Sequence, residues 1–439
     1  MFPPRPAAPS RAALVLLALV APLSARAVPS YSRQTGMACS ACHTAAPVLT
    51  AFGRAFKAGG YTLAAEEQQM KDSQGGRETL VLPRIPPLSI QLLASFTALA
   101  KAAPGTKTGD VLLPDQFSLF YAGQIAGEVG AFAQVTYDGQ ADHFSMDNLD
   151  VRWAHGFRAG GQELLLGTTL NNSPSVTDLW SGTPAWGWPT VITGAWPGMG
   201  ANVALVDGAL AQAVGGLGAY GLYADTVYAE VDAYRSAQLG VTRPYDSTSS
   251  NVIDGAAVYW RAALQHTFSG NDLELGAYGL VTRIFPGQAA SLPLSGSTDH
   301  YADVAVDAQY QRVFTPDRSI TARATWIHEK RTLDASAPGQ APSLSTLRVS
   351  AEGYYGMGGL GAGYFQTTST TSPAFGTTTG TADTDGAMLE AIFRPWDNVQ
   401  LRAQYTAYGK VDGSASNIDG KGRKAADDDA FTLIAWILY

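Results

Sequence analysis

Val227-Tyr228-Ala229-Glu230-Val231-Asp232-Ala233-Tyr234 places valine or alanine at every odd position and an acidic or phenolic side chain at every even one. A repeat of two is the signature of a β-strand, whose successive side chains leave opposite faces. Here the apolar side is small and branched while the other side accepts charge, the pattern of a strand that shows lipid on one face and a polar lumen on the other. Three more segments repeat it. Leu347, Val349, Ala351 and Tyr355 oppose Arg348, Ser350 and Glu352; Val304, Val306, Ala308 and Tyr310 oppose Asp307, Gln309 and Gln311; Leu401, Ala403, Tyr405 and Ala407 oppose Arg402, Gln404 and Thr406.

The pattern runs to the end of the chain. Phe431-Thr432-Leu433-Ile434-Ala435-Trp436-Ile437-Leu438-Tyr439 is an apolar strand closing on an aromatic residue, similar to the terminal strand of bacterial outer-membrane proteins. A soluble sheet rarely leaves such an edge exposed. Composition agrees: 47 Gly, 19 Tyr, 9 Trp and 16 Phe stand beside only 15% charged residues.

Turn signals alternate with longer polar stretches. Short turns are predicted at Gly127-Glu128, Gly160-Gly161, Gly215-Gly216, Gly270-Asn271, Pro316-Asp317, Met357 to Gly359 and Pro395 to Asn398. Longer loops are predicted near 101–114, 139–145, 171–200, 236–252, 285–300, 331–344, 367–383 and 410–428. Eight outer loops imply an all-β transmembrane barrel of about 16 antiparallel strands, with both barrel ends periplasmic and the long loops extracellular. The loop from Asn171 to Gly200, with Trp180, Trp186, Trp188 and Trp196, is long enough to fold into the lumen or cap the mouth.

Residues 1–27 read as a secretory signal: Arg5 and Arg11 precede an apolar run from Ala12 to Leu23 and a small-residue cleavage site, Ser24-Ala25-Arg26-Ala27. The run is shorter than the ~20 residues of a transmembrane helix. Removing Arg5, Arg11 and Arg26 takes the formal charge from -8 to -11. An acidic exported chain has no nucleic-acid partner and suits metal cations.

The two cysteines of the chain stand in Cys39-Ser40-Ala41-Cys42-His43. C-x-x-C-H reads as covalent attachment of one c-type haem, with both thiols bonded to the porphyrin and the imidazole as proximal iron ligand. A structural zinc site needs about four protein ligands, and a thioredoxin-type motif needs a βαβ context; neither is present in the sequence. Cys39, Cys42 and His43 are therefore the cofactor-binding residues, and His43 is the metal ligand.

About sixty residues separate Val28 from the first strand near Leu88, which is little for a self-standing haem domain. Ala46-Pro47 predicts the start of a helix ending at Gly59-Gly60, with Leu49, Phe52 and Phe56 on one stripe against the haem and Arg54 and Lys57 elsewhere on its surface. Ser73 to Arg77 and Pro83 to Pro87 read as a linker into the barrel. The organisation is then a signal over 1–27, a monohaem cytochrome c segment over 28–86 forming a small α-helical plug, and an outer-membrane barrel over 87–439. The sixth iron ligand stays open among Met70, Met146, His143, His155, His266, His300 and His328.

The chain resembles the fused cytochrome-porin family of monohaem outer-membrane iron-oxidising cytochromes. The resemblance is carried by Val28 through His43, then Pro47, Leu49, Phe52-Gly53-Arg54, Phe56-Lys57 and Gly60-Tyr61. It continues loosely through Asn172 to Ser175, Pro184 to Gly187 and Asp427 to Tyr439. It implies one c-haem in a barrel embedded in outer-membrane lipid, carrying electrons from extracellular Fe(II) to periplasmic electron carriers. By the same resemblance Arg33, Gln34 and Thr35 bond haem propionates or hold the plug, a local turn being the alternative. One haem allows one-electron steps only, so the chain is an oxidoreductase only in the sense of Fe(II) oxidation. Asp385, Asp412, Asp427, Asp428 and Asp429 suit a cation-gathering mouth or plain solvated loops. The alternatives are a conduit for another donor or acceptor, and a diffusion porin gated by its cytochrome segment.

Overall fold

Each wall strand follows the two-residue repeat, and the closed wall follows from pairing every edge. The computed structural model describes residues 28–236, 251–286 and 296–439; the predicted signal and most of the loops near 236–252 and 285–300 lie outside them. The wall runs β1 (Leu88–Leu99), β2 (Gly109–Ala126), β3 (Val129–Asp138), β4 (His143–Ala159), β5 (Gln162–Asn171), β6 (Val214–Tyr223), β7 (Val227–Ser236) and β8 (Asn251–Ile253 with Ala257–Phe268). It continues with β9 (Asn271–Pro286), β10 (Asp299–Thr315), β11 (Arg318–Leu333), β12 (Ser343–Tyr355), β13 (Gly358–Ser369), β14 (Thr384–Trp396), β15 (Val399–Lys410) and β16 (Ala430–Leu438).

The two stretches of β8 both pair with β9 and form one interrupted strand, so the barrel has 16 antiparallel strands. It closes where β16 pairs with β1, Ala430 opposite Leu99 and Leu438 opposite Gln91. No helix of the described residues is long and apolar enough to cross a membrane; the strands make the crossing.

Side chains take the sides that the repeat predicts. On β7, Val227 and Val231 are exposed outward while Tyr228, Glu230, Asp232 and Tyr234 are buried in the lumen. On β10, Val304 and Val306 face out and Asp303, Asp307, Gln309 and Gln311 face in. Lipid enforces the parity, since Lys or Arg on the lipid face at mid-membrane costs ~2–4 kcal/mol.

Short turns gather at one end, joining β2–β3, β4–β5, β6–β7, β8–β9, β10–β11, β12–β13 and β14–β15. Leu88 and Leu438 lie at that end too; in barrels of this type the short turns are on the periplasmic side. One predicted turn moves. Gly215 and Gly216 are inside β6, and the chain reverses at 224–226, where Ala224 and Asp225 have positive φ. Gly216 is small for another reason: a Cβ there would meet the Tyr234 ring at 2.2 Å.

The segment ahead of the barrel enters the lumen from the short-turn end. It holds helices α1 (Pro29–Thr35), α2 (Cys39–Cys42) and α3 (Ala51–Ala58). α3 starts later than predicted, because Thr50 caps it by accepting from Gly53 N at 3.1 Å. Ala46-Pro47 instead joins two very short paired strands, His43–Ala45 and Val48–Leu49. The predicted linker at Ser73 to Arg77 is the tip of a hairpin, Gln69–Gln74 with Arg77–Pro83, reversing at Gly75-Gly76, both at positive φ.

Arg54 and Lys57, predicted off the apolar stripe of the helix, are buried. The plug rests against the lumen wall, so each finds a partner there. Arg54 pairs with Asp272 of β9 at 2.9 Å, and the Lys57 ammonium donates to the carbonyls of Val176 and Asp178, both at 2.8 Å. Tyr61 donates to Asp150 of β4 at 2.7 Å, and Tyr220 of β6 to the Ala58 carbonyl at 2.6 Å. Gln34 donates to Tyr61 O and Leu63 O and accepts from Gln124 N, so this residue of the 33–35 segment ties plug to wall.

Candidate functional site

The C-x-x-C-H motif occupies α2 and the residue after it, held in place by α3. Thr50 donates to the Ala41 carbonyl at 2.6 Å, and Gly53 packs directly on the Cys42 carbonyl. The two cysteines are not joined to each other; both are thiols.

Cys39, Cys42 and His43 line one side of a cavity between the N-terminal segment and the barrel wall. Of the predicted stripe, Leu49 and Phe56 line it and Phe52 does not; Gly53 lines it as well. The rest is supplied by Tyr31 and Tyr61, by Phe120 and Phe132 of the wall, by Trp186 of the long inward loop, and by Trp436 and Leu438 of the last strand. Tyr31 stacks on Tyr61 with ring centroids 5.0 Å from Phe56 and 5.4 Å from Tyr61.

These residues fit a haem on three counts. The cavity is walled mainly by aromatic and aliphatic groups, and one edge offers two thiols and an imidazole. The Nδ1 atom of His43 is buried with no hydrogen-bond partner. Burial pushes the His43 imidazole down to about 4, against the carbonyls of Pro47 and Val48, which act in the opposite sense. It is therefore neutral, the form that ligates metal. Among the described residues no group of three or more His, Cys, Asp or Glu assembles to hold a bare metal ion.

The cavity also contains charge. Burial, then repulsion from Arg152, brings the Lys57 ammonium down to about 7. Asp178 sits in the same wall; burial would raise its carboxyl, but Arg261 foremost holds it below the usual carboxylate range.

None of the sequence candidates for a sixth ligand lines the cavity. Met70 is half exposed on the hairpin. Met146, His143, His155, His266, His300 and His328 belong to wall strands, where His155 meets Glu128 and His328 meets Ser345. Among the described lining residues His43 has the only imidazole, and no methionine is present.

Trp186, Trp436, Leu438, Phe120 and Phe132 escaped the sequence reading. Their signal is a break in the parity rule: on β16 the inward side is Ile434, Trp436 and Leu438 where other strands show Asp, Gln or Arg.

The loop from Asn172 to Ala213 folds into the lumen rather than capping it. Wall side chains hold it along its length. Trp180 Nε1 donates to Gln265, Thr325 to the Gly182 carbonyl, and Gly194 N to Asp115. Leu205 N donates to Glu329 at 2.6 Å and Val206 N to Asp303 at 2.7 Å, while Asp207 pairs with Arg348. At the long-loop end, Asp427 and Asp428 pair with Lys101 and Arg423, and Asp429 accepts from Tyr408 N.

No family model and no curated protein matches the sequence. Solved structures with a similar backbone include the outer-membrane channel DcaP of Acinetobacter baumannii, at TM-score 0.49 and 12% identity over 86% of this chain and 99% of that one. Salmonella typhi OmpF, in complex with daunomycin, gives 0.46 and 12% over 84% and 100%. An anion-selective porin from Comamonas acidovorans gives 0.45 and 13% over 80% and 98%. This chain is a transmembrane β-barrel of the outer-membrane type. The statement rests on its own closed wall of 16 strands with an apolar outer face and a polar inner one.

Proposed function

We propose that this porin-like barrel binds one c-type haem through Cys39, Cys42 and His43 and carries electrons across the outer membrane, from extracellular Fe(II) to soluble periplasmic carriers. The observation that carries the reading is the opening of a complete C-x-x-C-H onto an aromatic cavity between plug and wall. When bound there, the haem supplies a one-electron couple. The chain does the rest. α3 fixes the motif's backbone, Tyr31, Phe56, Phe120 and Trp186 exclude water, and Lys57 places a titrating charge in the cavity wall. Iron as donor rests on the sequence resemblance alone.

The test is stopped-flow mixing of purified, detergent-solubilised protein with Fe(II), after a haem stain on a denaturing gel has confirmed covalent cofactor. Rapid appearance of the reduced c-type bands supports the reading. Reduction by dithionite but not by Fe(II) removes iron and leaves a conduit for another donor or acceptor.

A second reading, a diffusion porin gated by its N-terminal segment, is favoured by the barrel and its charged inner wall. Conductance after reconstitution separates the two, since electron transfer needs no open pore.

A further inference from the structure

Between the inward loop and the wall lies a small recess with room for about one water-sized group. The loop closes it from within 181–188, and Arg323, Thr325, Arg348 and Ser350 close it from β11 and β12. Register brings these four together, Arg323 opposite Ser350 and Thr325 opposite Arg348. Two contacts seat the loop over them. Thr325 donates to the Gly182 carbonyl at 2.7 Å, and the Trp188 ring packs on Gly363 of β13 so closely that a Cβ there would meet it at 2.2 Å.

The charges around the recess do not pair off evenly. Arg348 gives both Nη atoms to Asp207, which leaves its Nε buried without a partner. Farther along the wall, Arg402 pairs with Glu390 at 2.7 Å. Arg323 is only 5% exposed, yet its Nε, Nη1 and Nη2 all lack a hydrogen-bond partner. The carboxylate beside it, Glu352, stands 3.5 Å from Nη2 alone, and its other oxygen accepts from Tyr354. Among the described lining residues none is Asp or Glu. A guanidinium stays charged and has donors only, so burying one with its nitrogens unbonded is costly. A hydroxyl or a water would meet the donors and leave the charge. A small anion meets both.

We propose that this recess binds one small monovalent anion, chloride or an ion of its size, held by Arg323 with Arg348 beside it, and that the bound ion fastens residues 181–188 of the inward loop to the wall. The inference stands on the barrel and its loop and is independent of the electron-transfer reading.

The test uses full-length protein in detergent, exchanged into potassium gluconate and titrated with chloride while the linewidth of the chlorine NMR signal is followed. The parent should give excess width that saturates as one site and that bromide removes by competition, whereas gluconate is too bulky to enter. R323Q is expected to weaken binding about tenfold or more, R323K to fall between it and the parent, and K101Q, at an exposed position, to match the parent. Heat-modifiable mobility on a gel shows which variants have folded, and the parent titration decides alone should R323Q fail to insert. No saturable width in the parent, or parent-level binding in R323Q, overturns the site. In a planar bilayer, replacing chloride with gluconate should make brief openings of the parent more frequent and leave R323Q unaltered. Equal opening frequencies of the parent in the two salts overturn the fastening of the loop.

Discussion

Gly53 lies so close to Cys42 that a Cβ on it would sit 2.2 Å from the Cys42 carbonyl oxygen. The contact is backbone against backbone, with no flexible side chain to yield, and it sets the distance between α3 and the helical turn bearing both thiols. Gly53→Ala should move the motif away from α3, at a cost of ~1–3 kcal/mol for an overpacked site. The barrel does not depend on this contact. The expected result is a chain that still inserts and shows heat-modifiable mobility on a gel but carries several-fold less haem per protein; equal loading would refute the contact's importance.

The motif residues separate by what they hold. Cys39→Ala with Cys42→Ala should abolish haem staining after denaturation, because no covalent link remains. His43→Met should keep the stain, since both thiols persist, and raise the midpoint potential, since a thioether ligand favours the reduced iron more than an imidazole does. A double cysteine variant that still stains would end the haem assignment.

How much of this was legible depended on the length scale of the signal. The wall was readable because lipid imposes its parity residue by residue, as Val227 to Tyr234 show. Gly215-Gly216 misled because a glycine under an aromatic ring, here Tyr234, has the same one-letter form as a glycine in a turn. Cys39, Cys42 and His43 fall within five consecutive residues and so were visible as a motif. Trp186 and Trp436 are 250 residues apart in sequence and share a cavity only once the barrel has closed. The burial of Arg54 and Lys57 was not readable because their partners, Asp272 and the Val176 and Asp178 carbonyls, come from distant wall and loop.

Lys57 gives the site a pH dependence whose sign can be worked out. Its ammonium, brought down to about 7 chiefly by burial, is charged below that pH and neutral above it. A positive charge in the wall of a redox cavity favours the reduced state, which carries one positive charge fewer. The midpoint potential should therefore fall as pH rises through about 7, by an amount on the order of tens of millivolts. Lys57→Met should flatten the curve at its high-pH level. Potentiometric titration from pH 5.5 to 8.5 checks both; a parent curve that the substitution leaves unaltered assigns the titration elsewhere.

The inward loop decides whether the barrel conducts. Its 205–207 turn is fixed by wall side chains: Glu329 accepts from Leu205 N, Asp303 from Val206 N, and Arg348 pairs with Asp207. A protein hydrogen bond contributes about 0.5–1.5 kcal/mol net, so the two amide contacts act together with the Asp207–Arg348 pair to hold this turn against the wall. The parent protein in a planar bilayer should show almost no current. Asp303→Asn with Glu329→Gln, which weakens both contacts while keeping shape, should produce brief openings. Replacing 182–208 with a short Gly-Ser linker should raise conductance towards that of an open porin. Large steady currents from the parent protein would instead mean that the loop does not close the barrel, and the diffusion reading would then take precedence over the conduit.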